Sequence, residues 1–508
     1  MKETAVNKWL IVLTVMLPTF IEIMDSSVVN VTLDHIRGTM SAGIDESAWA
    51  ITSYITANAI VMPMTDWLSR FFGRKRYLMF SVALFTASSV MCGLSWSLNS
   101  LILFRVLQGV GGGALVPLSQ AILFETFPEE ERGKAMGVFG IGATVAPSVG
   151  LPLGGWIADN WIWRWIFYIN LPIGILSIFM IFLYIRDPHY IKIERPKIDI
   201  RGISLLVMGL AALQIVLDRG QREDWFSSNF ILILSIVSVV SLILLVVTEL
   251  YVESPIIDLK VFKNISFSSG TMVTFITFFS VMSVFVLTPV YVQNLLGYTA
   301  TLAGIAMMPQ GLCMIVSLGV AGALSSKINP KILLVAGIII IAYSASMMAQ
   351  FNMTTDFQTV VFALCMLGIS MGFIFVPLSI LSFTGINNER MGNATALWNL
   401  IRNIGGSIGI ALVMTFLSRG AQIHQRYLVD HMTSLDKGYN LTLARLTPLL
   451  DARGYAGGPE GTIYGQLVQQ ATMLSFVDVY YLLMFMMLAV LPLIFFMKTG
   501  NGQKPSIH

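Results

Sequence analysis

Charged residues are scarce in this chain. Asp, Glu, Lys and Arg make up 12% of the 508 residues and hydrophobic residues make up 56%, whereas a typical soluble domain carries about 25% charged residues. This deficit excludes an ordinary water-soluble enzyme. The net charge of +3 comes from basic residues that are scattered between apolar stretches, so we expect no nucleic-acid partner.

Cysteine and histidine are also rare, with 3 and 5 copies. The cysteines stand far apart in apolar stretches, without the spacing of a disulfide framework or a metal site, and we assign the histidines to loops and to the C-terminus. The sequence contains no GxxxxGK[ST] phosphate loop, which excludes an ATPase of that type. We therefore expect no metal, no cofactor and no enzymatic activity, and an ion gradient as the source of energy. The residues concerned are Cys92, Cys313, Cys365, His35, His189, His424, His431 and His508.

Apolar runs of about 20 residues dominate the sequence, and each is long enough to cross the roughly 30 Å hydrocarbon core as a helix. The first run has no small-residue cleavage site and leads directly into further runs, so we interpret it as a membrane helix and not as a signal peptide. The pattern predicts an all-α polytopic membrane protein with 14 transmembrane helices. The runs cover roughly residues 10–30, 48–68, 77–96, 101–123, 135–157, 166–185, 202–218, 229–250, 266–290, 299–325, 332–350, 357–380, 393–416 and 473–497.

The distribution of Lys and Arg predicts the orientation of the chain. An even number of helices places both termini on one side of the membrane. With the termini in the cytoplasm, 20 of the 31 basic residues lie in cytoplasmic segments and 9 lie outside. Because basic residues in short loops resist translocation, we expect cytoplasmic termini.

A weak internal repeat appears when the two halves are offset by about 258 residues. The sequence VPLS at 116–119 recurs at 376–379, and the pair Glu131-Arg132 recurs as Glu389-Arg390. A parallel repeat of six helices is the architecture of major facilitator transporters. We therefore predict two six-helix bundles, residues 1–186 and 265–508, separated by two inserted helices in 187–264. The second bundle includes a long hydrophilic outer loop at about 417–472.

Two ionisable residues of the first half are predicted to lie at similar depth in the membrane. Asp25 lies 15 residues beyond Leu10, which is about 22 Å along a helix. Arg105 lies four residues into the fourth run, or about 6 Å below its outer end. A lone charge there costs at least about 2.5 kcal/mol, whereas an adjacent Arg favours the ionised carboxylate. These two residues are therefore our candidates for proton coupling.

Each candidate also has a purely structural interpretation. Asp25 is alternatively a hydrogen-bonding residue of the bundle, and Arg105 a static strut between helices. Glu22 lies three residues before Asp25 on nearly the same helix face. It is a second proton site, a carboxylate that binds substrate, or another hydrogen-bonding residue. The equivalent of Arg105 in the second half is Cys365, which assigns the proton chemistry to the first half.

Methionine and phenylalanine are abundant, with 29 and 31 copies. Flexible Met side chains and aromatic rings suit an apolar pocket that accepts many ligands. Arg402 lies at about the middle of the thirteenth run, where it is either a structural partner of nearby carbonyl groups or an anion-binding residue. The candidates for a substrate cavity are Phe275, Phe279, Met282, Met371, Phe375 and Arg402.

Several short motifs, spread over nearly the whole chain, resemble those of one transporter family. They are MDSSVVNV at 24–31, LILFRVLQG at 101–109, APSVG at 146–150 with GG at 154–155, WRWIF at 163–167 with INLPIG at 169–174, LDRG at 217–220, DWFSS at 224–228 and GYTAT at 297–301. Together they resemble the 14-helix drug:proton antiporters of the major facilitator superfamily, and in particular its EmrB-like multidrug exporters.

The resemblance implies roles for two further groups of residues. In the family, the turn between the second and third helices is a conformational latch, and here it carries Asp66 and Arg70 at the i, i+4 spacing that suits an ion pair. The fifth-helix motif implies a helix-packing role, with a hinge role as the alternative. The latch residues are Asp66, Arg70, Gly73, Arg74 and Lys75, and the packing residues are Pro147, Gly150, Gly154 and Gly155.

The resemblance also implies a function. We expect a secondary transporter of the bacterial inner membrane that exports hydrophobic drugs in exchange for protons. The family's outer face docks a periplasmic membrane-fusion adaptor (EmrA-like) that leads to an outer-membrane channel (TolC-like), so the loop at about 417–472 is either the docking element or a passive tether. The alternatives are a proton-coupled importer of the same fold and a membrane sensor or scaffold that transports nothing.

Overall fold

The computed structural model describes residues 7–187, 199–252, 255–430, 432, 436–451 and 458–499. All regular secondary structure in these segments is helical. Apolar residues fill the helices. Inside a bilayer, backbone N–H and C=O groups have no water with which to form hydrogen bonds, and an α-helix pairs these groups with one another within a single segment. The expected all-α polytopic fold is confirmed.

The first half of the chain forms six spans from eight helices. Two of the spans are interrupted: α4 and α5 follow one another through Gly113 and Ala114, and the short α7 leads into α8 through Ile169. The helices are α1 (Lys8–Met40), α2 (Ile44–Phe72), α3 (Arg74–Gly93), α4 (Leu98–Gly112), α5 (Leu115–Thr126), α6 (Glu129–Asn160), α7 (Trp165–Tyr168) and α8 (Asn170–Tyr184).

The remainder of the described chain forms the inserted pair and the second half. The pair is α9 (Ile200–Arg219) and α10 (Asn229–Tyr251). The second half comprises α11 (Ile265–Asn294), α12 (Ala300–Leu324), α13 (Pro330–Met348), α14 (Phe357–Ser382), α15 (Asn388–Val429), α16 (Lys437–Asp451), α17 (Gly458–Ala489) and α18 (Leu491–Phe496).

A helix lies at every one of the 14 predicted spans. Thirteen of the described helical segments are long and apolar enough to cross a membrane. Among the helices at the predicted spans, the one outside that set is α2, which has 29 residues but carries polar side chains such as Thr52, Asn58 and Asp66 along its length. Its polar character fits its position, because it packs on α4 and also on α15 of the other half.

The predicted outer loop at 417–472 is largely helical where the structure describes it. Helix α15 continues beyond the predicted span to Val429, α16 occupies the middle of the segment, and α17 begins at Gly458. Hydrophilic composition indicated a loop, but it also fits helices that continue beyond the apolar core of the membrane.

The two halves pack closely at the end of the bundle that carries the α2–α3 turn. Helices α6 and α12 meet there through glycines: a Cβ added to Gly137 would lie 2.9 Å from the carbonyl oxygen of Leu318, and one added to Gly322 would lie 3.0 Å from that of Gly133. Small residues allow such a close backbone approach. Asn399 of α15 also donates a hydrogen bond of 2.6 Å to Gln120 of α5. This end of the interface is therefore closed.

The inserted helices α9 and α10 pack on one another, and α9 also contacts α2 and α15. At the end of α9, Asp218 accepts a hydrogen bond from Thr52 of α2. The indole Nε1 of Trp225, in the following turn, donates a 3.0 Å hydrogen bond to the hydroxyl of Thr415 on α15. The inserted pair therefore lies at the side of the bundle and contacts both halves.

Candidate functional site

Asp25 and Arg105 form an ion pair between α1 and α4. Their Oδ2 and Nη1 atoms are 2.5 Å apart, and each residue is only 1% exposed. Neighbouring opposite charges offset the cost of burying either one in a medium of low dielectric constant. The structure thus brings together the two residues that the sequence placed at similar depth.

The other carboxylate oxygen of Asp25 accepts two further hydrogen bonds. Gln108 Nε2 and Asn170 Nδ2 each lie 2.9 Å from Oδ1, and both also donate to the hydroxyl of Ser89. Sequence reasoning did not assign Gln108 and Asn170 to this site. Both stand in the family-like motifs, and Gln108 lies three residues after Arg105, on the same face of α4. That spacing could have identified it.

The guanidinium of Arg105 is held on several sides. Its Nε donates a 2.9 Å hydrogen bond to the carbonyl oxygen of Ala50, and its Nη1 donates one of 2.8 Å to Gln108 Oε1. Its Cζ atom lies 4.1 Å from the centre of the Tyr54 ring, a cation–π contact. Arg105 therefore links α2 to α1 and α4.

Glu22 lies on the same helix as Asp25 but has different partners. Its Oε1 accepts hydrogen bonds from Asn58 Nδ2 at 2.9 Å and from the Tyr54 hydroxyl at 3.3 Å, both on α2. Tyr54 thus contacts Glu22 through its hydroxyl and Arg105 through its ring. The two acidic residues occupy adjacent but distinct sites, and Tyr54 joins them.

Arg402 lies on α15 in the second half of the chain, at the interface with the first half. Its Cζ atom lies 5.3 Å from the centre of the Phe278 ring and 5.8 Å from that of Trp398. The charges of Arg402 and Glu22 interact across the interface between the halves. The next residue, Asn403, contacts the sulfur of Met62 on α2 at 3.8 Å. Glu22 and Arg402 therefore mark one central region between the halves.

Some of the predicted cavity residues lie in the hydrophobic core of the second half, and others lie near α15. Phe279 and Met371 are 4% exposed and belong to the hydrophobic core of the second half, so they do not line the region around Arg402. Phe375 lies 6.0 Å from Trp398, ring centre to ring centre. Phe275 and Met282 are partly buried on α11, where they pack against the glycines of α15. The α11 ring that contacts Arg402 is that of Phe278, one position away from the predicted Phe279.

Four of the five predicted latch residues lie at the closed end of the interface. Arg70 Nη2 is 2.8 Å from Asp66 Oδ2 and donates a 3.3 Å hydrogen bond to the carbonyl oxygen of Glu389 on α15. Arg74 forms a buried salt bridge with Glu125 of α5. The turn itself needs Gly73, which has a φ of 86°, a conformation that glycine adopts without strain.

Two details of this region were not predictable from the motif. A Cβ on Gly392 would lie 2.2 Å from Asp66 Oδ1, so a larger residue at this position would displace the Asp66 carboxylate. Lys75 points away from the interface and contacts its own half, where its Nζ donates a 2.6 Å hydrogen bond to the carbonyl oxygen of Phe182. Lys75 therefore takes no part in the contact between the halves.

The predicted packing residues of α6 lie against α1, close to Asp25. A Cβ added to Gly150 would be 3.1 Å from Met24 Cγ, and one added to Gly154 would be 2.8 Å from Val28 Cγ1. Gly155 has more room, with its nearest neighbour, Val31 Cγ1, at 3.7 Å. Pro147 lies within the same helix. The close contact thus depends on Gly150 and Gly154.

We expect Gly154→Ala to destabilise the protein and Gly155→Ala to leave it nearly unchanged. The first substitution forces a methyl group against the buried Val28 of α1, and overpacking of this kind typically costs about 1–3 kcal/mol. The thermal unfolding midpoints of the two purified variants in the same detergent provide the test. Equal midpoints would contradict close α1–α6 packing at Gly154.

Histidine and cysteine are placed differently from what the sequence indicated. His35 and His424 lie in helices α1 and α15 and not in loops, because both helices extend beyond their predicted spans. His189, His431 and His508 lie outside the described residues. Cys313 and Cys365, which we treated as isolated, lie near one another on α12 and α14. Within the described segments, no group of three or more His, Cys, Asp or Glu residues is arranged to hold a metal ion.

Comparison with known proteins places this geometry in a family. Residues 15–410 match the model of the Major Facilitator Superfamily. The multidrug export protein EmrB of Haemophilus influenzae is 38% identical over 424 residues, 83% of each chain. The chain belongs to the EmrB-like transporters of the major facilitator superfamily. EmrB of Escherichia coli K12 is 33% identical over 97% of this chain and 96% of its own, and the fatty acid resistance protein FarB of Neisseria gonorrhoeae is 31% identical over 97% of both.

Solved structures show the same fold. A double-tryptophan mutant of XylE superimposes on this EmrB-like transporter with a TM-score of 0.64 at 15% identity, covering 98% of this chain and 97% of that one. The human organic anion transporter MFSD10 gives a TM-score of 0.59 at 12% identity, with coverage of 95% and 99%. The major facilitator fold expected from the repeat is confirmed.

Proposed function

We propose that this transporter exports hydrophobic compounds from the cytoplasm in exchange for protons. The observation that carries the proposal is the buried pair of Asp25 and Arg105. A carboxylate inside a membrane helix is costly and typically functional, and it is the kind of group that takes up and releases a proton as its surroundings change. The names of the EmrB and FarB relatives support export of drugs and amphipathic compounds.

The contacts of Asp25 suggest how its protonation would act on the helices. The ionised carboxylate accepts from Arg105, Gln108 and Asn170. A protonated carboxyl is neutral and donates one hydrogen bond, so it no longer matches three donors. Protonation would therefore weaken the links that join α1 to α4 and α8. In the exchange cycle that we propose, this loosening accompanies the movement of one half against the other.

The latch region supplies the second element of this proposed cycle. Asp66, Arg70 and Gly392 hold the halves together at the α2–α3 end. With the termini in the cytoplasm, as the excess of basic residues on that side supports, this closed end faces the cytoplasm. The central region around Glu22 and Arg402 would then release substrate to the outside. Opening the latch would give access from the cytoplasm.

Proteoliposomes under an imposed pH gradient test the proposal. We expect a lipophilic dye to accumulate against its own concentration gradient while protons move in the opposite direction, and we expect the proton flux to require the dye. Movement of dye and protons in the same direction would instead indicate an importer. The absence of any dye-dependent proton flux would indicate a sensor or scaffold.

We further propose that the transporter works in the bacterial inner membrane with a periplasmic adaptor and an outer-membrane channel. The long helices α15 and α17 and the separate helix α16 offer a helical outer region to which an adaptor could bind. Shortening this region should impair drug resistance in whole cells but spare dye transport by proteoliposomes. Equal loss in both assays would indicate a role in folding or in transport itself.

A further inference from the structure

Two acidic residues come together where the inserted helices α9 and α10 lie side by side. Asp199 is the N-cap of α9, and its Oδ1 accepts a 3.0 Å hydrogen bond from the backbone N–H of Gly202. Glu249 lies in the last turn of α10, and its Oε2 accepts a 3.3 Å hydrogen bond from the backbone N–H of Ile257. Each carboxyl group therefore has one oxygen bound to the backbone and a second oxygen that remains.

The two remaining oxygens, Asp199 Oδ2 and Glu249 Oε1, are buried and have no hydrogen-bond partner in the part of the chain that the structure describes. A Cβ added to Gly202 would lie 2.6 Å from the first and 3.0 Å from the second. Glu249 is only 5% exposed, and the neighbouring Ile256 and Ile257 belong to the hydrophobic core. Two unsatisfied carboxyl oxygens therefore lie close together in apolar surroundings.

No salt bridge compensates these acids among the described residues. Asp199 is the charged group that acts on Glu249, and it repels the ionised carboxylate. Two like charges in a medium of low dielectric constant cannot both persist at low cost. The other charged residues on α9, on the segment after α10 and on the start of α15 are exposed to solvent or paired with one another; they are Arg201, Asp258, Lys260, Lys263, Glu389 and Arg390.

A single proton satisfies both oxygens. A protonated carboxyl group has an O–H donor, and an ionised carboxylate is an acceptor. A hydrogen bond between them removes one of the two charges and pairs both oxygens. Such bonds to an ionised acceptor are shorter and stronger than bonds between neutral groups.

We propose that Asp199 and Glu249 form a second proton-binding site, in which the two carboxyl groups share one proton. The shared proton joins the first residue of the α9 cap to the last turn of α10. Loss of this proton leaves two like charges in apolar surroundings and destabilises the contact between the two helices. The site has no residue in common with the pair of Asp25 and Arg105, so it does not depend on the proposed exchange of drugs for protons.

The chain that Glu249 binds continues directly into a contact with α15. The backbone N–H of Asp258 donates a 3.2 Å hydrogen bond to Asn393 Oδ1, and Asn393 Nδ2 donates one of 2.8 Å to the carbonyl oxygen of Asp258. Asn393 directly follows Gly392, the residue that lies against Asp66 of the latch. The proton site and the latch therefore lie at the same end of the bundle.

The pH dependence of stability tests the site. The folded protein holds a proton that the unfolded chain lacks near neutral pH, because free Asp and Glu side chains ionise at about pH 4. Stability should therefore fall as the pH rises to the point where the pair loses its proton, and the unfolding equilibrium should shift by up to about tenfold per pH unit. Thermal unfolding midpoints of the purified protein in one detergent, measured from acidic to alkaline pH, provide the data.

Two substitutions remove the proton but keep a hydrogen bond. In Glu249→Gln and Asp199→Asn the new amide donates to the remaining carboxylate, so each variant should lose this part of the pH dependence and should exceed the wild-type midpoint at alkaline pH. Glu46→Gln is the matched control. Glu46 is exposed and also accepts from a backbone N–H, that of Gly43 at 3.0 Å, and this variant should keep the wild-type pH dependence.

Infrared spectroscopy detects the proton itself. The difference spectrum between the wild-type and Glu249→Gln proteins should contain the carbonyl band of a protonated carboxyl group at neutral pH and should lose this band at alkaline pH. If Glu249→Gln does not fold, Asp199→Asn takes its place.

Absence of the band at every pH would overturn the shared proton, and so would midpoints of the wild-type protein and the variants that change in parallel with pH. Stabilisation of the wild-type protein by Na⁺ relative to choline, without the same effect on Glu249→Gln, would also overturn it and indicate a bound cation instead. Asp25→Asn should preserve the band, so failure of the proposed export mechanism would appear in flux assays and not here.

Discussion

Asp25→Asn is expected to abolish the accumulation of substrate against its gradient while substrate binding persists. Asparagine keeps the size of aspartate and continues to accept a hydrogen bond, but it cannot ionise. The substituted side chain therefore cannot alternate between the paired and the neutral state. The aromatic and methionine residues near Arg402 belong to other helices and are unchanged, so dye binding should remain close to that of the wild-type protein.

The size of this effect follows from the energy of the gradient. One proton that crosses a pH difference of one unit releases about 1.4 kcal/mol, which supports about tenfold accumulation of a neutral substrate exchanged one for one. The Asp25→Asn protein should support none, so the dye ratio across the membrane should return to that of empty liposomes. Glu22→Gln, three residues away with separate partners, is the control that should retain accumulation.

Arg105→Ala is expected to lower both transport and stability. It removes the cation beside a fully buried carboxylate, and breaking one partner of a buried pair typically costs about 3–5 kcal/mol. Arg105→Lys keeps a positive charge but loses the planar fork that reaches Asp25, Gln108 and Ala50. Its transport should be intermediate between those of the wild-type and Arg105→Ala proteins.

The double variant with Asp25→Asn and Arg105→Ala separates a structural role from a coupling role. Removal of both charges leaves no unpaired buried ion, so its thermal unfolding midpoint should rise above that of Arg105→Ala alone. Accumulation of dye should stay absent, because the double variant lacks the carboxylate. Recovery of accumulation together with stability would mean that the pair is only a strut between helices.

The sequence predicted the contacts that lie along one helix better than those between helices. The i, i+4 pair of Asp66 and Arg70 followed from helical periodicity and is present in the structure. The pairing of Arg74 with Glu125, by contrast, joins α3 to α5, and no spacing within one helix indicates it. The contact between Asp25 and Arg105 was partly predictable. The depth of each residue could be counted along its own helix, but their contact depends on how α1 and α4 face each other.

Side-chain direction explains the other differences. Lys75 stands in the latch motif, but the α2–α3 turn directs it toward α8. Phe278 and Phe279 are adjacent in the sequence and point to different surroundings, since a helix rotates by about 100° per residue. Composition identified α11 as rich in aromatic residues, but only the packing of α11 on α15 distinguishes the ring that contacts Arg402 from the ring in the core.

Proton release on substrate binding tests the central claim most directly. A lipophilic dye without titratable groups is added to the purified protein in weakly buffered detergent solution, and a pH indicator reports released protons. We expect release from the wild-type and Glu22→Gln proteins and none from Asp25→Asn. Undiminished release from Asp25→Asn, together with none from Glu22→Gln, would contradict the account and assign the exchanged proton to Glu22.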